Sequence, residues 1–408
     1  MAGNVQVVRQ KQPAREREPK LVKDTAKKKY FYDYSLLLCV FVIFTVGLLA
    51  IYSGTQYIAM VDKDCNYNPR FFFNKQLKYG IAGLAAAIVC SKFDYRLLRN
   101  PLVTFCAYFG SLALIASTLI MGIAAKGKSR WLSLGGHSFQ PTEVAKIGLI
   151  LTLAFVIYKM KNQVNDNKVF GCIILAAVIP AFLVGTQNIS SCIILIMIAG
   201  FMLFVATKKT AFLCGCMALF IAGVASAKPL VRLYVVKTGM TEPSSHYWLR
   251  RIFAWAAPEV FEDDAYQTLQ GLYAIGSGGL TGRGIGESIQ KYGRIPEIQN
   301  DMIFTVICEE FGFVGAAFVL LIYAFILYRI YEIAKNAPDR YGMLICTGVF
   351  AHIAVQVILN ISVVTGLIPN TGVTLPFVSY GGTALLCTMG EIGLVLSVAH
   401  KIHISDNG

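Results

Sequence analysis

Residues 266–312 read YQTLQGLYAIGSGGLTGRGIGESIQKYGRIPEIQNDMIFTVICEEFG, a polar, glycine-rich stretch in an otherwise apolar chain. The glycines at 276, 278, 279, 282, 284 and 286 permit positive backbone φ angles and a close approach to a ligand. Arg283, Lys291 and Arg294 add cationic groups. Asp301 stands directly before the apolar run MIFTVIC, so its carboxylate is expected where a membrane helix meets water. This makes Asp301 a candidate general base.

The composition outside this stretch is that of a membrane protein. The 408 residues are 56% hydrophobic and 15% charged, which excludes an ordinary soluble domain. A helix needs about 20 apolar residues to cross the hydrocarbon core. The predicted fold is therefore an all-α polytopic membrane protein with ten transmembrane helices and one large extracytoplasmic loop at 228–301. The predicted spans are 32–54, 77–93, 101–123, 143–160, 169–187, 189–206, 210–227, 302–329, 341–364 and 373–399.

The basic residues predict the orientation of these spans. Consecutive spans cross the membrane in opposite directions, so every second turn lies on the same side. The turns on one of these sides carry Lys92, Arg96, Arg99, Lys159, Lys161, Lys168, Lys208, Lys209, Arg329, Lys335, Arg340 and Lys401. The positive-inside rule assigns that side to the cytoplasm. Residues 1–31 are then a disordered basic cytoplasmic tail, 32–400 the membrane domain and 401–408 a cytoplasmic C-terminus. Asp301 falls on the outer face.

The net charge of +14 does not indicate nucleic-acid binding, because the basic residues are scattered through short loops. The eleven cysteines form no CxxC pair and lie mostly inside apolar runs, so they are expected to be small buried hydrophobes. Within the long outer loop, the pattern from His246 to Val260 predicts an amphipathic interfacial helix, and aromatic and leucine residues from Tyr266 recur at helical spacing.

The predicted outer loop 124–142 holds Lys126, Lys128 and Arg130 without an acid, followed by Trp131 and Gln140. Short outer loops normally avoid such charge. The pattern indicates either anion binding or simple tolerance of the charge.

Several ionisable residues lie at or inside predicted spans. Glu143 and Lys146 are three residues apart, so they share a helix face and can pair, either to anchor the loop or to position Asp301. Glu309, Glu310 and Glu391 lie within spans, where acids mark a proton or substrate path or accept hydrogen bonds from neighbouring helices.

Residues 366–383, GLIPNTGVTLPFVSYGGT, contain prolines and glycines that break helix geometry near the membrane surface. Non-helical backbone is tolerated there where it is buried or lines a watery cavity. We expect a cavity wall to which Ser379 and Tyr380 contribute hydroxyls; a purely structural re-entrant kink is the alternative.

Four segments resemble the SEDS family, which comprises the FtsW, RodA and SpoVE proteins of bacteria. They are RWLSLGGHSFQPTEVAK (130–146), YQTLQGLYAIGSGGLTGRGIG (266–286), IPEIQNDMIFTVICEEFGFVG (295–315) and GVTLPFVSYGGT (372–383). They follow the family's order, and SIQK at 288–291 and TLP at 374–376 are more similar to the FtsW branch than to RodA. One departure is Gln187-Asn188-Ile189-Ser190-Ser191, where the family commonly has Pro-Asp-Leu-Gly-Thr; here Asn188 is expected to cap a helix.

The resemblance implies a peptidoglycan glycosyltransferase that polymerises lipid II on the outer face of the plasma membrane, for septal wall synthesis in cell division. It also implies that Asp301 is the essential acid, Trp131 the loop tryptophan, and Glu143 and Lys146 the paired residues of the family. The implied partners are a class B penicillin-binding protein transpeptidase and other divisome proteins.

Lipid II polymerisation needs a base for the acceptor hydroxyl and cations for the departing diphosphate. The candidate substrate-binding residues are Lys126, Arg130, Trp131, Arg251, Arg283, Lys291 and Glu297, and the candidate positioning residues are Glu143, Lys146, Gln140, Glu309, Ser379 and Tyr380. Mg²⁺ is a candidate helper because it pairs with phosphate oxygens. Apolar grooves between the spans are expected to hold lipid tails.

Three alternatives stay open from the sequence. A lipid II flippase would place its polar groups near the bilayer midplane, whereas here they gather on one side. An elongation-type, RodA-like polymerase would share the chemistry but not the septal role. A non-catalytic scaffold of the division complex is the third.

Overall fold

The computed structural model describes residues 32–121, 123–125, 128–134, 137–161, 163–240, 246–292 and 295–402. Lys126, the predicted tail 1–31 and residues 403–408 lie outside these ranges. The described chain is built mainly from helices: α1 (Tyr34–Val61), α2 (Phe71–Lys92), α3 (Pro101–Met121), α4 (Pro141–Lys159), α5 (Asn167–Gly185), α6 (Ile189–Ala206), α7 (Thr210–Thr238), α8 (Tyr247–Ala256), α9 (Glu262–Gly278), α10 (Ile303–Lys335), α11 (Arg340–Val364) and α12 (Gly382–Ala399).

The helices confirm the predicted all-α polytopic fold. Each of the ten predicted spans corresponds to one long helix, and nine of these helices are long and apolar enough to cross a membrane. The tenth, α2, has 22 residues, which is about 33 Å of helix at 1.5 Å per residue, but it is less apolar. The helices α8 and α9 lie within the predicted outer loop and confirm the helical periodicity found there.

The structure differs from the predicted elements in three places. The helix α7 continues to Thr238, past the predicted end of the seventh span at 227. The tenth span does not begin at 373, because residues 366–381 are not helical and α12 begins at Gly382. The predicted outer loop 124–142 contains a three-stranded antiparallel sheet, which single-sequence periodicity missed. Its strands are β1 (Ile123–Ala125), β2 (Lys128–Leu134) and β3 (His137–Phe139).

Residues 187–191, where the chain departs from the pattern Pro-Asp-Leu-Gly-Thr, still contain the start of a helix. The Asn188 side chain accepts hydrogen bonds from the backbone N–H groups of Ser190 (3.1 Å) and Ser191 (3.4 Å). An asparagine at this position satisfies donors that the first helical turn leaves unpaired. The expectation that Asn188 caps the sixth helix is therefore confirmed.

The end of the bundle opposite Asp301, here called the basic end, is held by ion pairs. Asp33 at the start of α1 pairs with Arg329 of α10 at 2.8 Å. Asp94 pairs with Lys401 at 3.0 Å. Burial acts to raise the pKa of the Asp94 carboxyl, but hydrogen bonds from the Arg96 amide and from Lys401 outweigh it and lower that pKa below its ordinary value. The first pair joins α1 to α10, and the second joins the turn after α2 to the chain that follows α12.

The glycine-rich loop packs against a break in α10. Gly312 has φ 66° and ψ −163°, so helical hydrogen bonding is interrupted there. The loop supplies the missing partners: Gly284 N–H donates to the Glu310 carbonyl at 3.0 Å, and Phe313 N–H donates to the Gly279 carbonyl at 2.9 Å. The glycines therefore allow a close approach of the loop to the α10 backbone.

This packing predicts a strict requirement for glycine at position 282. Gly282 has φ +81°, and a Cβ there would lie 2.1 Å from the Glu310 carbonyl oxygen. We expect Gly282→Ala to lower the free energy of unfolding by about 3 kcal/mol or more, because it combines backbone strain with a backbone clash. The measurement is thermal or denaturant unfolding of the purified protein in detergent.

Gly276→Ala is the matched control, since Gly276 lies inside α9 and a Cβ there meets nothing within 4 Å. It should be neutral or stabilising by about 1 kcal/mol. Equal unfolding midpoints for the two variants would contradict the assigned loop packing.

Candidate active site

Side chains from several helices hold the non-helical segment 366–381, here called the re-entrant segment. Gln76 of α2 donates to the Ser379 carbonyl at 3.1 Å. Ser190 of α6 donates to the Thr371 carbonyl at 2.6 Å, and Tyr323 of α10 donates to the Pro376 carbonyl. Hydrocarbon offers no water to a backbone carbonyl, so non-helical chain at this depth requires such donors. The predicted break in the helix is thereby confirmed, and Leu375 to Ser379 of the segment are buried in protein.

Asp301 lies beside this segment. Its residue is only 6% exposed, and it directly precedes α10. A methyl group built on Gly372 would lie 3.8 Å from Oδ2 of Asp301 and 3.8 Å from Nη1 of Arg251. One carboxylate and one guanidinium thus flank the same glycine.

Arg251 reaches this position from α8. Its Nη1 donates to the Asn370 carbonyl at 3.0 Å. The Asn370 side chain donates in turn to Oε1 of Gln267 in α9 at 2.9 Å, and Trp255 Nε1 donates to the Gly366 carbonyl at 2.9 Å. The two short helices are therefore fastened to the first half of the re-entrant segment.

A polar cavity of about 280 Å³ opens beside these contacts, near the lower end of the volumes of ligand pockets, which begin at about 300 Å³. Arg250 in its wall forms an ion pair with Asp264, and the hydrogen bond from that guanidinium to the carboxylate raises the pKa of Arg250 above its ordinary value. The lining residues are Arg250, Arg251, Ala254, Trp255, Asp263, Asp264, Tyr266, Gln267, Thr268, Pro296 and Asn370.

The predicted pair of Glu143 and Lys146 is formed in the structure. Lys146 Nζ lies 2.8 Å from Glu143 Oε2, and both residues are buried. Lys146 also donates to Oε1 of Gln356 at 3.3 Å, while Gln356 Nε2 donates to the Thr374 carbonyl at 3.0 Å. The pair therefore connects α4 through α11 to the re-entrant segment, which favours a positioning role over the anchoring of a loop.

Lys291 and Glu309 occupy interior positions. Lys291 Nζ donates to the Gly286 carbonyl and lies 3.8 Å from a carboxylate oxygen of Glu310. Glu309 accepts from the Ile289 amide at 2.9 Å and from the hydroxyls of Ser277 and Ser288. Both residues hold the glycine-rich loop, so their positions favour packing over the predicted diphosphate contact of Lys291.

Other predicted residues are dispersed. Arg283 and Glu297 are exposed, and Trp131 is half-buried in β2. The side chain of Arg130 and the whole of Lys126 lie outside the described part of the chain. The backbone N–H of Gln140 donates to Thr383 Oγ1 at 3.4 Å at the start of α12.

The two predicted hydroxyl residues of the re-entrant segment have partners within the protein. The Ser379 hydroxyl accepts from the Leu375 amide at 2.7 Å. The ring of Tyr380 packs edge-on against Phe72 with centroids 5.3 Å apart. Both contacts support the shape of the segment.

Three buried polar residues of α11 are candidate site residues that sequence reasoning missed. His352, Gln356 and Asn360 are spaced four residues apart on α11, and all three are at most 3% exposed. Burying polar side chains inside a membrane costs free energy, so their recurrence at this interval within an apolar run indicates a function.

The order of these elements also matches known proteins. A family model described as cell cycle protein, for FtsW, RodA and SpoVE, matches residues 33–404. The chain belongs to the SEDS family. Within this family it is 34% identical to stage V sporulation protein E of Bacillus subtilis, over 91% of this chain and 98% of that protein. It is 32% identical to a probable peptidoglycan glycosyltransferase FtsW of Trichlorobacter lovleyi, over 92% and 94%.

Two solved structures share the SEDS fold. A protein from a peptidoglycan synthase complex that coordinates polymerization and crosslinking superimposes with a TM-score of 0.71 and 25% identity, over 91% of this chain and 98% of that one. The rod shape determining protein RodA of Thermus thermophilus superimposes with a TM-score of 0.63 and 24% identity, over 92% and 98%. The chain is accordingly a multi-pass membrane protein.

The buried ion pair of Glu143 and Lys146 can be tested by its contribution to stability. Lys146→Met leaves the Glu143 carboxylate buried without its cation, so we expect the free energy of unfolding to fall by about 3–5 kcal/mol. The measurement is chemical unfolding in detergent.

The double variant Glu143→Gln with Lys146→Met removes both charges and should recover at least half of that loss. A single variant as stable as the parent protein would contradict the assigned burial of the pair.

Proposed function

We propose that this protein is a peptidoglycan glycosyltransferase that polymerises lipid II, with Asp301 as its general base. The observation that carries the proposal is the convergence of Asp301 and Arg251 on Gly372 beside a polar cavity. The family and the relatives named as peptidoglycan glycosyltransferases support the same chemistry.

The reaction joins two lipid-linked sugars. Asp301 takes the proton of the acceptor hydroxyl while the oxygen of that hydroxyl attacks the anomeric carbon of the donor. The bond from that carbon to the diphosphate breaks, and the lipid diphosphate leaves with its electron pair. A positioned base contributes about 10²–10⁴-fold in rate.

The charge on the leaving diphosphate needs a cationic partner. Among the predicted cations whose side chains the structure describes, Arg251 supports this role best, because its guanidinium lines the cavity and lies near the same glycine as Asp301. Guanidinium groups bind phosphate oxygens in pairs, which adds geometric specificity.

Mg²⁺ stays a proposal for this site. Within the described residues no group of three or more His, Cys, Asp or Glu could hold a metal ion. Mg²⁺ often binds through one or two carboxylates, water and substrate phosphates, an arrangement that the single carboxylate of Asp301 fits. When bound, the ion would neutralise charge on the diphosphate.

The proposed location follows from charge. Basic side chains, including Arg96, Arg329 and Lys401, lie at the end of the bundle opposite Asp301. The positive-inside rule supports a cytoplasmic basic end, cytoplasmic termini and an outer site in the plasma membrane. The similarity to FtsW supports work at the division septum, and the synthase complex supports pairing with a crosslinking transpeptidase of the class B penicillin-binding type.

Asp301→Asn tests the proposed base. The variant keeps the shape of the side chain and removes its basicity, so we expect glycan polymerisation by purified protein to fall at least about 100-fold. Binding of lipid II should stay within about twofold, because the chemical group and not the cavity is changed. A gel assay for glycan strands and a binding assay measure the two quantities.

Asp64→Asn is the matched control, since Asp64 is an exposed acid in the turn between α1 and α2. It should polymerise at the parental rate. Full activity in Asp301→Asn would exclude the base assignment, and transport of labelled lipid II across liposomes without polymer formation would favour a flippase instead.

A further inference from the structure

Asn360 joins the chain at Asp301 to the re-entrant segment. Its side-chain Nδ2 donates to the Asp301 carbonyl at 2.8 Å and to the Val373 carbonyl at 2.7 Å. The residue is fully buried in α11. We propose that Asn360 is a positioning residue that sets the place of the Asp301 carboxylate; this inference rests on the proposed function.

The bridge depends on the chemistry of a primary amide. Two carbonyl oxygens on separate segments point to one donor atom, so both hydrogens of an NH₂ group are used. A hydroxyl provides one hydrogen and an ionised carboxylate provides none. A buried carbonyl that loses its donor and gains no other keeps the full cost of an unmade hydrogen bond, about 1–3 kcal/mol.

The two hydrogen bonds of Asn360 lie next to the residues of the candidate site. Val373 directly follows Gly372, the glycine flanked by Asp301 and Arg251. On the other side of Gly372, Arg251 holds the Asn370 carbonyl and Ser190 holds the Thr371 carbonyl. The glycine is thus fixed from both directions, and the Asn360 bond to Val373 is paired with a bond to the residue that carries the base.

The neighbouring amide has a different task. Gln356, one turn before Asn360, donates to Thr374 and accepts from Lys146. Its bonds fix the re-entrant segment to α11 and α4. Asn360 therefore fixes the distance between Asp301 and the re-entrant segment, whereas Gln356 fixes the position of the segment relative to α11 and α4.

The expected consequence is a loss of turnover without a loss of binding. A displacement of about 1 Å in a reacting group lowers a rate by about 100-fold. The cavity wall that binds substrate comes largely from α8 and α9, which Asn360 does not touch in the contacts described.

Asn360→Asp is the test variant, because it keeps the size of the side chain and turns the donor group into an acceptor. We expect kcat for glycan polymerisation to fall about 100-fold while KM and lipid II binding change by less than about twofold. The introduced carboxyl can donate one hydrogen bond when it is protonated. The ratio of the variant's rate to the parent's rate should therefore rise as the pH falls, a signature that a general loss of stability would not give.

Asn336→Asp is the matched control, since Asn336 is exposed at the end of α10 and donates to the Glu332 carbonyl. It should retain parental kcat at every pH. If Asn360→Asp does not accumulate as folded protein, Asn360→Ser keeps one donor and should lower kcat about tenfold with KM unchanged.

The outcomes separate the two proposals. Parental kcat in folded Asn360→Asp, or in folded Asn360→Ser, would overturn the positioning role, and so would a rate ratio that does not change with pH. Failure of the parent protein to polymerise lipid II would overturn the proposed function. A parent that is active, with Asp301→Asn inactive and Asn360→Asp fully active, would leave the proposed function standing alone.

Discussion

The structure depends on how buried side chains satisfy a piece of non-helical backbone inside a membrane domain. A helix satisfies its own carbonyls, but the re-entrant segment cannot, and hydrocarbon supplies no water in exchange. Gln76, Ser190, Tyr323, Gln356 and Asn360 provide the donors from four different helices. Each bond removes the free-energy cost of a carbonyl without a donor, and it also fixes the position of one residue of the segment.

The same logic explains the glycine-rich loop. α10 is interrupted at Gly312, and the loop satisfies the freed backbone groups because glycines at 279, 282 and 284 adopt positive φ and allow backbone to approach backbone. Lys291 then lies 3.8 Å from Glu310, and Glu309 accepts hydrogen bonds from the Ile289 amide and from the hydroxyls of Ser277 and Ser288. The loop is thereby fixed to α10, and it leads the chain to Asp301 just before that helix.

Much of this arrangement was predictable from the sequence. Apolar runs predicted the ten long helices, proline and glycine predicted the break after Thr365, and the spacing of Glu143 and Lys146 predicted their pair. The partners of the re-entrant segment were not predictable, because contacts such as Gln76 with Ser379 join residues distant in sequence. The surroundings of Lys291 were not predictable either, because a lysine among glycines has the same local pattern whether its ammonium faces a ligand or a buried glutamate.

The central claim is that the groups held by this network are the groups that meet the substrate. A structure of the Asp301→Asn variant with lipid II bound tests it most directly. The account predicts the acceptor hydroxyl within hydrogen-bonding distance of the residue 301 side chain, about 2.6–3.2 Å, and the diphosphate beside Arg251. Sugars bound at the basic end of the bundle, or bound in the cavity with residue 301 out of reach, would contradict it.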